Sequence, residues 1–247
     1  MNHSANCILS GPCTLADTDK CNRMCPSYVA MHGYAGDGGR VGAAGLPSEY
    51  RHLTVNNSPA RAGQADVYVA VDKYVDTFKT GDRVKSLYLY SAEPGTGKTT
   101  TAAALLNEYL TAHYIGCLQR GETPLERPAF FLDVNAWQKD FNAFNRPRVP
   151  EEIAEPAAAR YYRTMTIASK VPFLVLDDIG VRDASDAFRA DLHSVVNDRT
   201  ANGLTDVYTS NIPMADMLRL FDARIADRIR DMCGEIHFVG KSKRGRR

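Results

Sequence analysis

Residues 91–100 carry the side-chain types that bind phosphate groups. They read Ser-Ala-Glu-Pro-Gly-Thr-Gly-Lys-Thr-Thr, follow the apolar run 87–90 and lead into an alanine- and leucine-rich segment that predicts a helix. The glycines let the backbone turn so that successive N–H groups point at phosphate oxygens, and the helix N-terminus adds the positive end of its dipole. This order of strand, loop and helix predicts a P-loop that binds a nucleoside triphosphate, and it disfavours a glycine turn that binds nothing.

The roles within the loop follow from the chemistry of the side chains. Lys98 is expected to reach the β- and γ-phosphates of ATP, and the Thr99 hydroxyl is expected to bind Mg²⁺. One position departs from the strict pattern, because Ala92 stands where the first glycine is expected. An alanine is tolerated there if its φ angle is negative. The predicted nucleotide-binding residues of the loop are Glu93, Pro94, Gly95, Thr96, Gly97, Lys98, Thr99 and Thr100.

Two further strands are predicted to end in polar residues. The apolar run 171–176 is followed by Asp177 and Asp178, the arrangement of a Walker B motif. Asp177 is expected to bind the nucleotide's Mg²⁺, together with Thr99, and Asp178 to polarise the water that attacks the phosphate. The strand predicted at 206–211 ends in Thr-Ser-Asn. If the sheet is parallel, Asn211 comes to lie near the γ-phosphate.

Composition places the chain among ordinary globular proteins, with 44% hydrophobic and 24% charged residues and a formal net charge of +1. No apolar run approaches the ~20 residues of a membrane span, and residues 1–6 do not read as a signal peptide, so we expect a cytoplasmic protein with no membrane partner.

Five of the last seven residues are basic. Such a tail is either a solvated end or an arm that contacts phosphates.

Four of the six cysteines, Cys7, Cys13, Cys21 and Cys25, fall within the first 25 residues. In a reducing cytosol this clustering favours a metal over disulfides, and four thiolates would satisfy a tetrahedral Zn²⁺ site. Only Cys21 and Cys25 have the short spacing that is typical of zinc ligands. The alternative is a loose tail that carries four reduced thiols.

The predicted organisation has three parts. Residues 1–32 form a small zinc-binding module, the glycine-rich residues 33–44 form a flexible linker, and residues 45–247 form an α/β domain with a parallel central sheet flanked by helices. Three prolines predict a loop over residues 146–156. Trp137, Phe141 and Phe144 could stack on nucleic-acid bases, but their helical spacing favours the core.

Taken in order, these motifs make residues 45–247 resemble the AAA+ ATPases of the DnaC/DnaI type, the bacterial and phage replicative helicase loaders. The resemblance implies that Asn211 is the sensor-1 residue and that Arg228 is an arginine finger acting on a neighbouring subunit's ATP, with Arg224 as the second candidate. It also implies a nucleotide-contacting, sensor-2 role for Arg244. The cysteine-bearing N-terminus resembles the zinc-binding, helicase-interacting module of the DnaI branch.

The resemblance implies an ATPase that uses ATP, Mg²⁺ and Zn²⁺ and loads a hexameric replicative DNA helicase onto single-stranded DNA, acting as a homo-oligomeric ring or spiral. Two alternatives stay open. A transposition helper of the AAA+ class has similar motifs, but the N-terminal cysteines argue against it. A P-loop kinase of small molecules needs an acceptor pocket and a lid, and it needs neither the Thr-Ser-Asn strand end nor an arginine supplied by a neighbour.

Overall fold

The structure is a computed structural model that describes residues 3–80, 83–180, 184–219, 221, 223–240 and 242. Packing divides the chain into two units. The first comprises Met1–Val84 with Thr100–Phe131, and the second comprises Lys85–Thr99 with Leu132–Arg247. We call them the N-terminal unit and the nucleotide unit. None of the helices in the described ranges combines the length and the apolarity that crossing a bilayer requires.

A five-stranded sheet runs in the order β2-β3-β4-β1-β5. The pairings of β1 with β4, of β1 with β5 and of β3 with β4 are parallel, which confirms the predicted α/β architecture. In an open parallel sheet the carboxyl ends of the strands meet at one edge, and ligands bind there. The strands are β1 (Ser86–Tyr90), β2 (Ala129–Asp133), β3 (Phe173–Asp177), β4 (Thr205–Ser210) and β5 (Cys233–His237).

Helices connect successive strands of this sheet, and three more precede β1 in the chain. Over the described residues the α-helices are α1 (Pro26–His32), α2 (Gly39–Ala43), α3 (Ala65–Asp76), α4 (Lys98–Gln119), α5 (Val134–Asn145), α6 (Glu151–Lys170), α7 (Asp186–Ala201) and α8 (Ala223–Met232).

The prediction of a loop over 146–156 is wrong in its second half. Helix α6 begins at Glu151 and contains Pro156. Proline removes the N–H that would bond to the carbonyl of Glu152. Both residues are exposed near the helix start, so water can satisfy that carbonyl, and the helix continues past the proline.

An aromatic cluster forms the core of the nucleotide unit beside α5, α6 and α7. Trp137 is 2% exposed, stacks on Tyr161 at 4.9 Å between ring centroids and donates its indole N–H to the Tyr161 carbonyl. Phe141 and Phe188 belong to the same cluster, and the half-buried Phe144 lies at its edge against Tyr161. The interpretation of Trp137 and Phe141 as core residues is therefore confirmed.

In the N-terminal unit the segment predicted as a linker is ordered by a buried arginine. Arg40 of α2 is 6% exposed and donates hydrogen bonds to the carbonyls of Ala30, Pro124 and Leu125 at 2.8–2.9 Å. Residues 33–44 are thus not a free connector in this structure. The functional boundaries at residues 32 and 45 stay a prediction.

Candidate nucleotide site

Residues 91–97 connect β1 to the start of α4. Gly95 has a φ of +71° and Gly97 a φ of +108°, values that favour glycine, and they let the loop turn its N–H groups inward. Among the described residues, the non-glycine residues with positive φ are Asp17, Arg148 and Asp178. Ala92 is not one of them, so an alanine fits where the pattern expects glycine.

The Lys98 side chain lies inside the loop and is only 8% exposed. Its Nζ donates to Oδ1 of Asn211 at 2.6 Å and to the carbonyls of Glu93 and Ser91 at 3.3 and 3.4 Å. The predicted phosphate-binding lysine and the predicted sensor asparagine, 113 residues apart, therefore meet directly. These three acceptors are neutral oxygens. Charged phosphate oxygens form stronger hydrogen bonds with an ammonium group, so a bound phosphate can replace them.

Strand register brings the two acids to the same edge. Leu176 of β3 pairs with Tyr208 of β4, so the next residues, Asp177 and Thr209, lie side by side. The Thr209 hydroxyl donates to Oδ1 of Asp177 at 2.7 Å and accepts the N–H of Asp178 at 2.8 Å. The end of β4 therefore holds both predicted Walker B acids.

Burial raises the pKa of Asp177 to about 6, although hydrogen bonds from Thr209 and Thr99 favour its charged form. A desolvated carboxylate beside a threonine hydroxyl offers the oxygen ligands that Mg²⁺ prefers, and a cation there would relieve the cost of the buried charge. Asp177 and Thr99 therefore fit a magnesium ion. The ion would neutralise charge on the phosphate oxygens of a bound nucleotide.

Asp178 adopts a φ of +59°, an uncommon conformation for a residue with a side chain. Its Oδ2 accepts a hydrogen bond from Nδ2 of Asn135 at 2.9 Å. Sequence reasoning missed both Asn135 and the double contact of Thr209. Asn135 had one signal, since it follows the end of β2, and the ends of parallel strands meet at one edge of the sheet.

Of the three arginines with predicted roles, the structure describes the side chain of Arg228. Arg228 is exposed on α8, and its Nη1 donates to Oδ1 of Asn197 on α7 at 2.6 Å. The side chain of Arg224 and the whole of Arg244 lie outside the described residues. The structure therefore tests none of the three predicted roles, which stay predictions.

The four N-terminal cysteines line one pocket, together with Leu9 and Tyr28. Burial raises the pKa of the Cys7 thiol, and the other three thiols add to that effect. Within the described residues, however, no group of three or more His, Cys, Asp or Glu side chains is placed so that it could hold a metal ion. As placed, the cysteines do not fit a tetrahedral zinc site, and the structure does not support the zinc prediction.

Known proteins resemble this chain in sequence and in fold. No protein-family model matches the chain. The replicative helicase loaders DnaC of Escherichia coli K12 and of Shigella flexneri are each 27% identical over 168 residues. That match covers 68% of this chain and 58% of the relatives, so the aligned part spans little more than half of their length.

Solved structures share the fold at lower identity. A crystal structure of DnaI matches with a TM-score of 0.52 and 22% identity, covering 81% of this chain and 94% of that one. The DnaC helicase loader matches with a TM-score of 0.54 and 19% identity, over 78% and 100% of the two chains. For AMPPCP-bound DnaA from Aquifex aeolicus the values are 0.51 and 16%, over 77% and 50%. The chain therefore has the fold of AAA+ P-loop ATPases and is similar in sequence to the helicase loader DnaC.

Proposed function

We propose that this protein is an ATPase that loads a hexameric replicative DNA helicase onto single-stranded DNA in the cytoplasm. It binds ATP with Mg²⁺ and works as a homo-oligomer, a ring or a spiral. The contact between Lys98 and Asn211 is the observation that carries the proposal. It joins the phosphate-binding loop to the end of β4, where a change in the phosphates can be sensed.

The acids beside this contact supply the chemistry of hydrolysis. Thr99 and Asp177 are the ligands for Mg²⁺, and Asp178 polarises the attacking water. Asn135 donates a hydrogen bond to the carboxylate of Asp178, and the Thr209 hydroxyl accepts one from the backbone N–H of Asp178. Homology to DnaC over 168 residues supports assigning this chemistry to a helicase loader.

Arg228 is the arginine finger in this proposal and acts on the ATP of a neighbouring subunit. Its exposure on α8 and its hydrogen bond to Asn197 support a position where another subunit can reach it. An arginine that meets the developing charge on a transferred phosphoryl group is worth ~10³–10⁵ in rate. Arg224 is the second candidate for this role, and Arg244 is proposed to contact the nucleotide.

Co-purification with a hexameric replicative helicase tests the loader function. The wild-type chain should bind the helicase and place it on a single-stranded DNA circle when ATP is present. Lys98→Ala should lose ATP-dependent loading. Failure of the wild-type chain to bind any hexameric helicase of its own host, under conditions in which it binds ATP, would contradict the loader function and leave the ATP site intact.

A mixing experiment tests the shared site. Lys98→Ala and Arg228→Ala should each lack turnover, for different reasons. A mixed assembly contains sites with an intact Lys98 beside a neighbour with an intact Arg228, so mixing should restore part of the ATPase activity. An inactive mixture in which co-assembly is demonstrated, or normal turnover by Arg228→Ala, would show that Arg228 does not act between subunits.

The alternatives predict other outcomes in the same assays. A transposition helper would bind a transposase and not a replicative helicase. A small-molecule kinase would consume ATP in proportion to a phosphorylated metabolite, and its turnover would not depend on mixing subunits.

A further inference from the structure

The Thr209 hydroxyl is shared between two neighbouring acids, and no motif assigns it a role. We infer that Thr209 is a positioning residue that sets the geometry of the Mg²⁺-binding Asp177 and the water-polarising Asp178 together. The inference rests on the proposed ATPase function. It adds a residue on the sensor strand β4 that acts on the metal and the water rather than on the phosphate.

One oxygen makes both contacts. Thr209 Oγ1 donates its proton to Oδ1 of Asp177 at 2.7 Å and accepts the backbone N–H of Asp178 at 2.8 Å. The carbonyl of the same residue accepts the N–H of Ile179 at 3.0 Å. A single residue of β4 therefore fixes three consecutive residues at the end of β3.

The environment of Thr209 makes these contacts hard to replace. Its side chain is 1% exposed, so solvent has little access to substitute for the hydroxyl. Threonine is branched at Cβ, which restricts χ1 and keeps the hydroxyl pointing at its partners. A serine keeps the hydroxyl with more rotational freedom, whereas a valine keeps the shape and loses both hydrogen bonds.

The backbone at Asp178 explains why a positioning residue is needed here. Its φ of +59° is a conformation that residues with side chains rarely adopt, and the surroundings must hold it. Thr209 holds the backbone N–H of Asp178, and Asn135 holds the carboxylate at 2.9 Å. The hydrogen bond to Oδ1 of Asp177 fixes the orientation of the other carboxylate.

Thr209→Val is the decisive variant, and Thr209→Ser is its conservative partner. Thr166→Val is the matched control, since Thr166 lies on α6 and bonds only to the Tyr162 carbonyl of its own helix. For each protein we would measure the Kd of a fluorescent ATP analogue without and with Mg²⁺, the Mg²⁺ concentration that gives half-maximal binding, and kcat. Thermal unfolding of the nucleotide-free protein shows whether each variant is folded.

Thr209→Val should bind the analogue without Mg²⁺ within about threefold of wild type, because Lys98 and the loop are untouched. It should need about tenfold more Mg²⁺ for half-maximal binding and lose about ten- to 100-fold in kcat. Thr209→Ser should stay within about threefold of wild type in both quantities, and Thr166→Val should be unchanged. If Thr209→Val does not fold, Thr209→Cys, which has a similar shape and a weakly bonding thiol, should shift the Mg²⁺ requirement in the same direction.

Two results would overturn the inference alone. One is a Thr209→Val protein that has a lower melting temperature but the Mg²⁺ requirement and kcat of wild type, as a purely structural residue would give. The other is a Thr209→Ser protein as impaired as Thr209→Val. A wild-type chain that fails to bind the ATP analogue with or without Mg²⁺ would overturn the proposed function as well, so the two failures are distinguishable.

Discussion

Both units bury polar side chains, but those at the sheet edge of the nucleotide unit differ in their partners from three that are buried in the N-terminal unit. In the nucleotide unit, two buried donors at the sheet edge each make their shortest hydrogen bond to another side chain. Lys98 donates to Asn211, and Thr209 donates to Asp177. Such bonds can be exchanged for bonds to a ligand without breaking the backbone structure.

In the N-terminal unit, three of the buried polar side chains bond to the backbone. Arg40 donates to three carbonyls, and Asn107 donates from Nδ2 to the carbonyls of Tyr50 and Leu53 at 2.8 Å each. His32, which is fully buried, accepts the N–H of Ile8 through Nε2 at 3.2 Å. These contacts connect distant segments of the chain and leave little for a ligand to replace.

The comparison suggests a way to distinguish buried polar side chains that bind a ligand from buried polar side chains that stabilise the fold. Side chains that bond to one another near a strand end are arranged for a ligand. Side chains that satisfy backbone groups are arranged for stability, because an unsatisfied buried carbonyl costs about 1–3 kcal/mol. The predictions that follow test this distinction by asking which variants change ATP binding and which change the free energy of unfolding.

The largest expected effect is the loss of ATP binding in Lys98→Ala. Removing the ammonium group should raise the Kd for ATP by about 100-fold or more, equivalent to about 2.7 kcal/mol. The free energy of unfolding should change by less than about 1 kcal/mol, because Asn211 and Glu93 are exposed, so that water can bond to them, and the contact with the Ser91 carbonyl is long at 3.4 Å. Isothermal titration and urea unfolding measure the two quantities. Unchanged ATP affinity would show that this loop is not a phosphate site.

Asn107→Ala should show the opposite pattern. The residue is fully buried, and the variant leaves two backbone carbonyls without their donor. We expect the free energy of unfolding to fall by about 2–3 kcal/mol. ATP affinity of the folded protein should stay within about twofold of wild type. A loss of affinity as large as that of Lys98→Ala would break the distinction between the units.

Acid should destabilise the protein through His32. Burial lowers the pKa of His32 to about 4, from 6.5, and the nearby His52 adds to that effect. The neutral form is therefore favoured in the folded state. The resulting stability is present above pH 6.5 and is lost as the pH falls toward 4, by about 2 kcal/mol at pH 5.

A His32→Gln variant isolates this contribution, because glutamine can still accept the N–H of Ile8. Between pH 7 and pH 5 the variant should lose about 2 kcal/mol less stability than wild type in urea unfolding. The raised pKa of Asp177 acts in the opposite direction, since its folded form binds a proton more readily. Equal losses in the variant and in wild type would show that His32 is not a buried neutral base.

The smallest effect is expected from the cysteines. All four are at least partly exposed, and no metal-binding group is found among the described residues. Replacing Cys21 and Cys25 together by serine should therefore change the free energy of unfolding by less than about 1 kcal/mol. Chelation should leave the melting temperature within about 2 °C. One zinc per chain in freshly purified protein, lost in the double variant, would show that the cysteine spacing was the better guide.

The sequence indicated candidate site residues where its signals are local. A P-loop is one contiguous stretch, Asp177 ends an apolar strand and Asn211 directly follows β4, so short windows of sequence were enough to propose them. Thr209 and Asn135 were missed as partners of the acids because their contacts depend on strand register and strand order. The predicted start of α6 was too late because Pro156 was expected to lie in a loop. A proline near an exposed helix start is tolerated, and α6 begins at Glu151.

The contacts within the segment predicted as a linker were out of reach of the sequence for a related reason. Five glycines among residues 33–42 indicate flexibility by composition. The buried contacts of Arg40 override that composition, and two of their acceptors, Pro124 and Leu125, lie more than 80 residues further along the chain. Composition in a short window cannot reveal partners at such a distance.

The contacts of Arg40 also determine when its segment of the chain can reach its final structure during synthesis on the ribosome. A ribosome adds ~5–20 residues per second, and segments fold as their partners become available. The guanidinium of Arg40 cannot reach the carbonyls of residues 124 and 125 until those residues have left the exit tunnel. These two hydrogen bonds of Arg40 can therefore form only after α4 and the loop after it have been synthesised. A fragment cut at residue 44 would leave an arginine, buried in the whole protein, without two of its acceptors.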